Sequence, residues 1–412
     1  MAASKDEYQL EFMEEISVPL KALLVGGEMY EPLYSRLPEF TARTGLAVEV
    51  TLTRDHPDLN HRLEREYSSS TARYDLVSTH TKYAPSQIQW LTPLTEFSAT
   101  DLIDFEPRTV DLGRIDGALY SLPRNLDVKL LHWRTDLMDA APTAWDELLA
   151  EATELSTPSD QFGFAFPGRE SGLFGHFFEL QAMAGGQLFR EDRYSKLELC
   201  ANDGAGRWAL ELLIALHRKA APPKTTDWHC DDVATCFRNG HAAISSDWPA
   251  GFAAYSAPAS RVAGRFDLAL YPSGSAGQHV YAGCHSFAIP SSAQDRSASL
   301  ELLRFLTDPT SQTLEAQQGS LPARRSALCA VRAETKTCSL EARRWELLKQ
   351  AAVTALVPPK FAMYPMVEDL IWRGLRRALL GEWGIAEALE RIEASGHAAM
   401  ELEGDGLRGG FA

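Results

Sequence analysis

The chain has 412 residues, 45% of them hydrophobic, with a formal net charge of −16 and a pI of about 5.2. That length is worth about two or three domains, and the acidic balance argues against nucleic acid or an anionic membrane as partner, since both demand a basic surface. No run approaches the roughly 18 apolar residues of a transmembrane helix. The opening MAASKDEYQLEFMEEISVPLK carries Asp and Glu and lacks the apolar core of about 7–15 residues that marks a secretory signal, which leaves a cytoplasmic location open.

In chain order, an apolar strand (Leu23 to Val25) runs into Gly26 and Gly27. Met29, Leu33, Leu37 and Phe40 follow at helical spacing, and Gly45 is placed to stop that helix. Val48, Val50 and Leu52 alternate with Glu49 and Thr51 as in a half-buried strand. Asp75 to Thr79 reads as another strand. This strand–helix–strand rhythm predicts an α/β protein whose sheets are mainly parallel and flanked by helices. In PTAWDELLAEATEL, Thr143 and Asp146 have capping-box spacing, and Trp145, Leu148, Leu149, Ala152 and Leu155 share a face. Further helices are expected at 208–217, 298–307 and 366–380, and short strands at 162–166, 242–246, 267–271 and 285–289. No internal repeat or low-complexity tract is present. The Gly-rich 403–412 segment reads as a frayed tail.

The chemical motifs are mostly negative. The Gly26–Gly27 turn lacks the G-x-G-x-x-G spacing of a dinucleotide fold and the Lys-Ser/Thr of a nucleotide loop. It fits either a tight strand-to-helix turn or a place where a polar ligand approaches the carboxyl end of a strand. HCDDVATCFRNGH (His229 to His241) has C-x5-C spacing, unlike a zinc finger, and reads as an amphipathic helix. PGRESG (Pro167 to Gly172) is not in G-x-S-x-G order. Six cysteines are too sparse for a disulfide framework, although Cys230/Cys236 and Cys329/Cys338 are candidate pairs in an oxidising compartment.

Taken together, the ordered segments from Lys21 to Ile392 resemble the extracellular solute-binding proteins of ABC importers, in the sugar-binding group that includes maltose-binding protein. Phe40, Thr44 and Gly45 match an F-x-x-x-T-G step. RYDLVSTHTKYAPSQIQWLTPLTEF is similar to the family's strand, ligand loop and helix. IDGALYSLPRNLDVKLLHWRTDLM matches its first crossing, with His132-Trp133-Arg134 departing from the usual Tyr-Asn. GHAAISSDWPAGFAAY, YAGCHSFAIP, LLRFLTDPTSQTLEAQQGSLPARRSAL and the proline-led VPPKFAMYPMVEDLIWRGLRRALLGEWGIAEALERI match later segments.

The resemblance implies a two-lobed periplasmic-binding-protein-like fold of type II, with mixed sheets flanked by helices and an interlobe ligand cleft. It implies an N-terminal lobe of residues 20–127 plus 288–322 and a C-terminal lobe of residues 128–287 plus 323–402. Crossings are expected near Asp127–Lys129, Phe287–Ile289 and Leu321–Arg324. The implied ligand is a mono- or oligosaccharide, with an anionic derivative also considered because of the histidines and arginines in the set. The implied ligand set is Gly27, Glu28, His80, Thr81, Asn125, Asp127, His176, Trp248, Gly283, His285, Arg324 and Tyr364, with Lys82, Arg124, Cys284 and Arg325 close by. Asp127 and Asn125 would pair with hydroxyls, and Trp248 would cover an apolar sugar face. Each has a plain alternative: a solvated acid for Glu28 and Asp127, a core tryptophan for Trp248, a satisfied histidine for His176. No catalytic residue, metal or cofactor is implied. The expected partners are the sugar and an ABC permease, with the protein a monomer outside the cytoplasmic membrane. A sugar-acting enzyme on the same fold and a sensory ligand-binding subunit remain alternatives.

Overall fold

Strand Leu20–Val25 is buried on both faces apart from Lys21, as a central strand flanked by helices must be. It pairs in parallel with Val48–Thr53, which forms the sheet edge and exposes Leu52, and with Leu76–His80. His285–Ala288 then runs antiparallel to Leu76–His80, and Ser121–Pro123 closes this five-stranded sheet. In this computed structural model residues 18–157, 161–194, 196–249 and 251–406 are described.

The helix expected between the first two strands is broken into a 3-10 turn (Glu28–Tyr30) and helices Glu31–Tyr34 and Leu37–Thr44. Pro32 and Pro38 each sit in the first turn of a new helix, where a missing N–H is harmless; inside one continuous helix each would remove a hydrogen bond. Gly45 ends the last of these at φ +76°, its N–H donating to the Thr41 carbonyl at 2.8 Å.

A second, four-stranded sheet has the order Phe266–Ala269, Leu130–Arg134, Ala242–Asp247, Phe162–Ala165. Only its last two strands are parallel, so the sheets are mixed rather than mainly parallel as the strand–helix rhythm suggested. Helices Trp145–Glu154, Glu170–Met183, Gly204–Lys219 and Tyr364–Leu379 cover it, with Trp145, Phe164, Phe174, Leu213, Ile244 and Ile371 in one core. The first sheet has its own core, including Leu24, Phe40, Leu76, Leu122, Phe287 and Leu303. At the start of helix Trp145–Glu154 the capping carboxylate is Glu147 rather than Asp146. It accepts from the Thr143 N–H at 2.7 Å and hydroxyl at 3.0 Å, because the helix begins one residue later than the spacing suggested.

A third sheet joins the two. Asn125–Val128 lies between Leu321–Pro322 and Val280–Gly283, antiparallel to both, and Ala355–Leu356 adds a parallel edge. The return to the first sheet falls at Cys284, between strands Val280–Gly283 and His285–Ala288, a few residues earlier than expected. The final helix is Ile385–Gly406; it includes the start of the expected tail, and residues 407–412 lie outside the described ones. All six cysteines are free thiols: Cys230 and Cys236 sit on one helix, Cys230–Arg238, facing different neighbours, and Cys329 and Cys338 are exposed. No described helix is long and apolar enough to cross a membrane.

Candidate functional site

The parallel strands of the first sheet all end at one edge. Gly26–Gly27 follows the first strand, Arg54–His56 the second and His80–Lys82 the third. His285 begins the antiparallel strand opposite His80, and Arg124–Asn125 follows Pro123 at the same edge. Open α/β sheets bind ligands at such carboxyl ends. In the second sheet, Arg169–Glu170 and Trp248 follow the two parallel strands, and Lys129 and Tyr271 lie at that same edge. The two sheets come into contact beside these edges, where Lys82 after the third strand reaches Glu368 and the Tyr281 ring. The Arg54 pKa is raised by its hydrogen bond to Asp55 first, by the Asp55 and Asp58 charges next, and also by Glu170 from the other sheet.

On the first side a hydrogen-bonded chain runs inward. Asp127 Oδ2 lies 3.2 Å from His285 Nε2, and His285 Nδ1 lies 2.9 Å from His56 Nε2. A carboxylate only accepts, so His285 donates to Asp127 and His56 donates to His285. Asn125 donates to both Asp127 oxygens at 3.2 and 3.3 Å, and its carbonyl accepts the His285 N–H at 3.1 Å. The Tyr30 hydroxyl lies 3.4 Å from His285 Nε2. Burial, opposed by Arg124, pushes the Tyr30 hydroxyl well above its ordinary pKa. His80 packs edge-on against His285 at 5.0 Å between ring centres. Gly283 makes this packing possible, because a Cβ there would meet His80 Nε2 at 2.3 Å.

On the second side, Lys129 Nζ is 2.6 Å from Glu179 Oε1, and His176 Nδ1 is 2.9 Å from the same oxygen. His176 Nε2 then meets the Ser246 hydroxyl at 2.8 Å, which meets Tyr271 at 2.5 Å. Burial acts to raise the Glu179 pKa, but the Lys129 charge and the His176 hydrogen bond outweigh it and hold the carboxylate low. Trp248 is half-buried; its indole N–H points to Cys230 Sγ at 3.3 Å and its ring lies edge-on to Tyr281. Burial, only partly offset by Tyr255 and the Trp248 N–H, pushes Asp247 up to about 7. Glu170 adopts φ +54°, a conformation a non-glycine residue rarely takes, at the first position of helix Glu170–Met183.

Of the residues expected from the sequence, His80, Asn125, Asp127, Gly283 and His285 come together in the first group. Thr81 lies beside them, with its N–H and hydroxyl both on the Cys284 carbonyl. Gly27, at φ +141°, turns the chain into the segment that carries Tyr30. The side chain of Glu28 lies outside what the structure describes. His176 is 1% exposed and fully bonded within the second lobe. Tyr364 is buried among Phe174, Phe189 and Phe361, so it offers a hydroxyl to Glu368 at 3.1 Å rather than an open ring. Arg324 belongs elsewhere. It braces Asp104 at 3.2 Å and the Thr307 carbonyl at 2.6 Å, with its guanidinium stacked on Phe105.

The expected set lacked Tyr30, Arg54, His56, Lys129, Arg169 and Glu170. For Arg54–His56 the available signal was their position immediately after a parallel strand, and for Arg169–Glu170 a position a few residues beyond one. Among the described residues, His56 Nδ1 and Arg169 Nε are buried without a hydrogen-bond partner. Among those residues no group of three His, Cys, Asp or Glu side chains is placed to hold a metal ion. A groove of about 680 Å³ lies on the second lobe between helices Trp145–Glu154 and Gly204–Lys219, lined by Leu149, Trp208 and Ala215 and by no member of either edge. Asp146, Glu211, Ser273 and Ser275 also line it, but all of its residues belong to the second lobe, whereas the strand ends gather polar groups from both.

Comparison with known proteins agrees with this architecture. Residues 36–336 match the family described as bacterial extracellular solute-binding protein. A probable ABC transporter-binding protein of Deinococcus radiodurans is 26% identical over 227 residues, covering 52% of this chain and 53% of that protein. The chain thus spans about half the length of that curated relative. Among solved structures, maltose-bound MalE3 of T. maritima superposes with a TM-score of 0.83 at 23% identity, covering 92% of this chain and 99% of that one. A solute-binding protein of Thermotoga lettingae bound with alpha-D-tagatose gives 0.83 at 20% identity, covering 93% and 100%. At these identities the structural likeness establishes the fold, two lobes flanking a joining sheet. The family match spans well over half of the sequence, and the chain belongs to the bacterial extracellular solute-binding proteins.

Proposed function

We propose that this protein captures a carbohydrate between the facing strand ends of its two lobes and delivers it to an ABC importer outside the cytoplasmic membrane. The observation that carries this is the pair of strand-end clusters, Asp127, His285 and His56 on one side and Trp248 with Arg169–Glu170 on the other, on lobes that touch where Lys82 meets Glu368 and Tyr281. Sugar hydroxyls need planar donors and acceptors, and a buried unpaired hydroxyl costs about 1–3 kcal/mol. His56 Nδ1 and Arg169 Nε, buried and unpartnered, are positions such hydroxyls would satisfy. The half-buried Trp248 ring suits the apolar face of a pyranose. Relatives of this fold whose names record maltose or tagatose as ligand support the same class. The ligand set is Gly27, His80, Asn125, Asp127, Trp248, Gly283 and His285, joined by Tyr30, His56, Arg169 and Glu170.

Residues 20–127 with 285–322, and 128–283 with 323–402, are the two bodies that close, with Cys284 as the return point. The protein acts as a monomeric receptor without catalytic turnover. Thermal shift against neutral and acidic mono- and oligosaccharides tests the proposal. A cognate sugar at about 100 times its dissociation constant raises stability by about 2.7 kcal/mol. Tight binding of an amino acid or a metal ion, with no response to any sugar, contradicts it. Appearance of new products from a bound sugar would favour an enzyme on this fold.

A further inference from the structure

Lys82 and Glu368 are 286 residues apart and come from different lobes. Lys82 follows the third strand of the first sheet; Glu368 lies on helix Tyr364–Leu379, packed against helix Glu170–Met183 of the second lobe. Their Nζ–Oε1 distance is 2.5 Å, and their side chains are 5% and 6% exposed. Both charges are otherwise satisfied. The Tyr83 hydroxyl donates to Glu368 Oε2 at 3.0 Å and the Tyr364 hydroxyl to Oε1 at 3.1 Å. The rings of Tyr83, Tyr281 and Tyr364 surround the ammonium at 4.9, 5.8 and 5.8 Å.

We infer that Lys82 and Glu368 form an interlobe lock that fixes how much of the protein is closed. A buried ion pair stabilises only when its geometry is good and its remaining donors and acceptors are filled; otherwise desolvation outweighs the attraction. Here one carboxylate collects an ammonium and two phenols, while three ring faces cover the cation. Separation of the lobes breaks every one of these contacts except Lys82 with Tyr83, which share a loop, and Glu368 with Tyr364, which share a helix. The lock is therefore made only in the closed arrangement. Because apparent affinity scales with the fraction of binding-competent protein, Lys82 and Glu368 are positioning residues for capture whatever solute fills the site. Tyr281 couples the lock to the second lobe's network, since its ring lies near both Lys82 and Lys129 and its N–H donates to Glu179 at 2.8 Å.

The test needs no ligand. Small-angle scattering and amide hydrogen exchange are compared for the wild type, Glu368→Gln, Tyr83→Phe and the charge swap Lys82→Glu/Glu368→Lys, each with unchanged far-ultraviolet circular dichroism. The lock predicts a larger radius of gyration for Glu368→Gln, with exchange at Thr81–Tyr83 faster by about tenfold or more. Tyr83→Phe, which keeps the pair and loses one hydrogen bond, gives a smaller change in the same direction. The swap moves the radius back toward the wild-type value. An unchanged radius and unchanged exchange in folded Glu368→Gln overturn the inference. If Glu368→Gln does not fold, Tyr83→Phe decides: no shift in radius or exchange overturns the lock, a shift upholds it.

Discussion

His56 and His285 are joined ring to ring: Nε2 of the first lies 2.9 Å from Nδ1 of the second, and the rings stack at 5.0 Å between centres. One of the two nitrogens must donate and the other accept, so a proton added to His285 Nδ1 would put two donors against each other. Burial, then the charges of His285, Lys82 and Arg124, hold the His56 pKa well below its ordinary value. Burial, then His285, His56 and Lys82, do the same for His80. A histidine depressed in this way binds fewer protons folded than unfolded. Its contribution to stability is complete above about pH 6.5 and is lost as the pH falls below that value. Each such histidine costs on the order of 1.4 kcal/mol per pH unit in that window. Urea midpoints should decline steadily from about pH 7 to about pH 5; a flat profile would mean that the cluster admits water and protons freely.

Trp248 separates a site residue from a core residue. It is half-buried, with its indole N–H on Cys230 and its ring against Tyr281. Trp248→Ala should weaken sugar binding by about 1–3 kcal/mol. The loss of stability without ligand should stay below the roughly 3–5 kcal/mol of a fully buried tryptophan. Denaturation first and titration second make the distinction. A full core-sized loss with unchanged affinity would remove Trp248 from the site.

Gly283 is required by the ring of His80. Alanine there places a Cβ 2.3 Å from His80 Nε2, and the ring is buried against His285 with little room to turn. Gly283→Ala should cost about 1–3 kcal/mol through overpacking, and adding His80→Ala should recover much of the loss. The double variant measured against both single variants gives the coupling; strict additivity would place the strain elsewhere.

Glu179 bonds Lys129, His176 and the Tyr281 N–H at once. Glu179→Gln leaves the Lys129 charge buried and unpaired, at a cost of about 3–5 kcal/mol. Chemical denaturation of the ligand-free protein reads this directly. A loss below about 1 kcal/mol would show that the pair is wetter than its burial implies.

The alternation of strand and helix was legible because each element carries its own period and its own stop, as Gly45 does after Phe40. The joining sheet was harder to read. Leu321–Pro322 and Ala355–Leu356 are too short to show alternation, and only pairing with Asn125–Val128 and Val280–Gly283 defines them. His80, Asp127 and His285 were found from segment order and do lie together, whereas Arg324 followed the right segment and turned to Asp104. Local sequence places a residue at a strand end; it does not say which way a long side chain leaves. His56 was missed because it opens a helix, Glu170 because nothing in PGRESG announces a left-handed backbone. Lys82 was placed only beside the implied ligand set, since its partner lies 286 residues away.

The central claim is that one solute touches both lobes at their facing strand ends. Hydrogen exchange with and without a saturating sugar, chosen by thermal shift, tests it most directly. The account predicts slower exchange in Arg54–His56 and His80–Lys82 of the first lobe, and in Arg169–Glu170 and the segment around Trp248 of the second, all together. Protection confined to one lobe, or centred on the groove between helices Trp145–Glu154 and Gly204–Lys219, would contradict it.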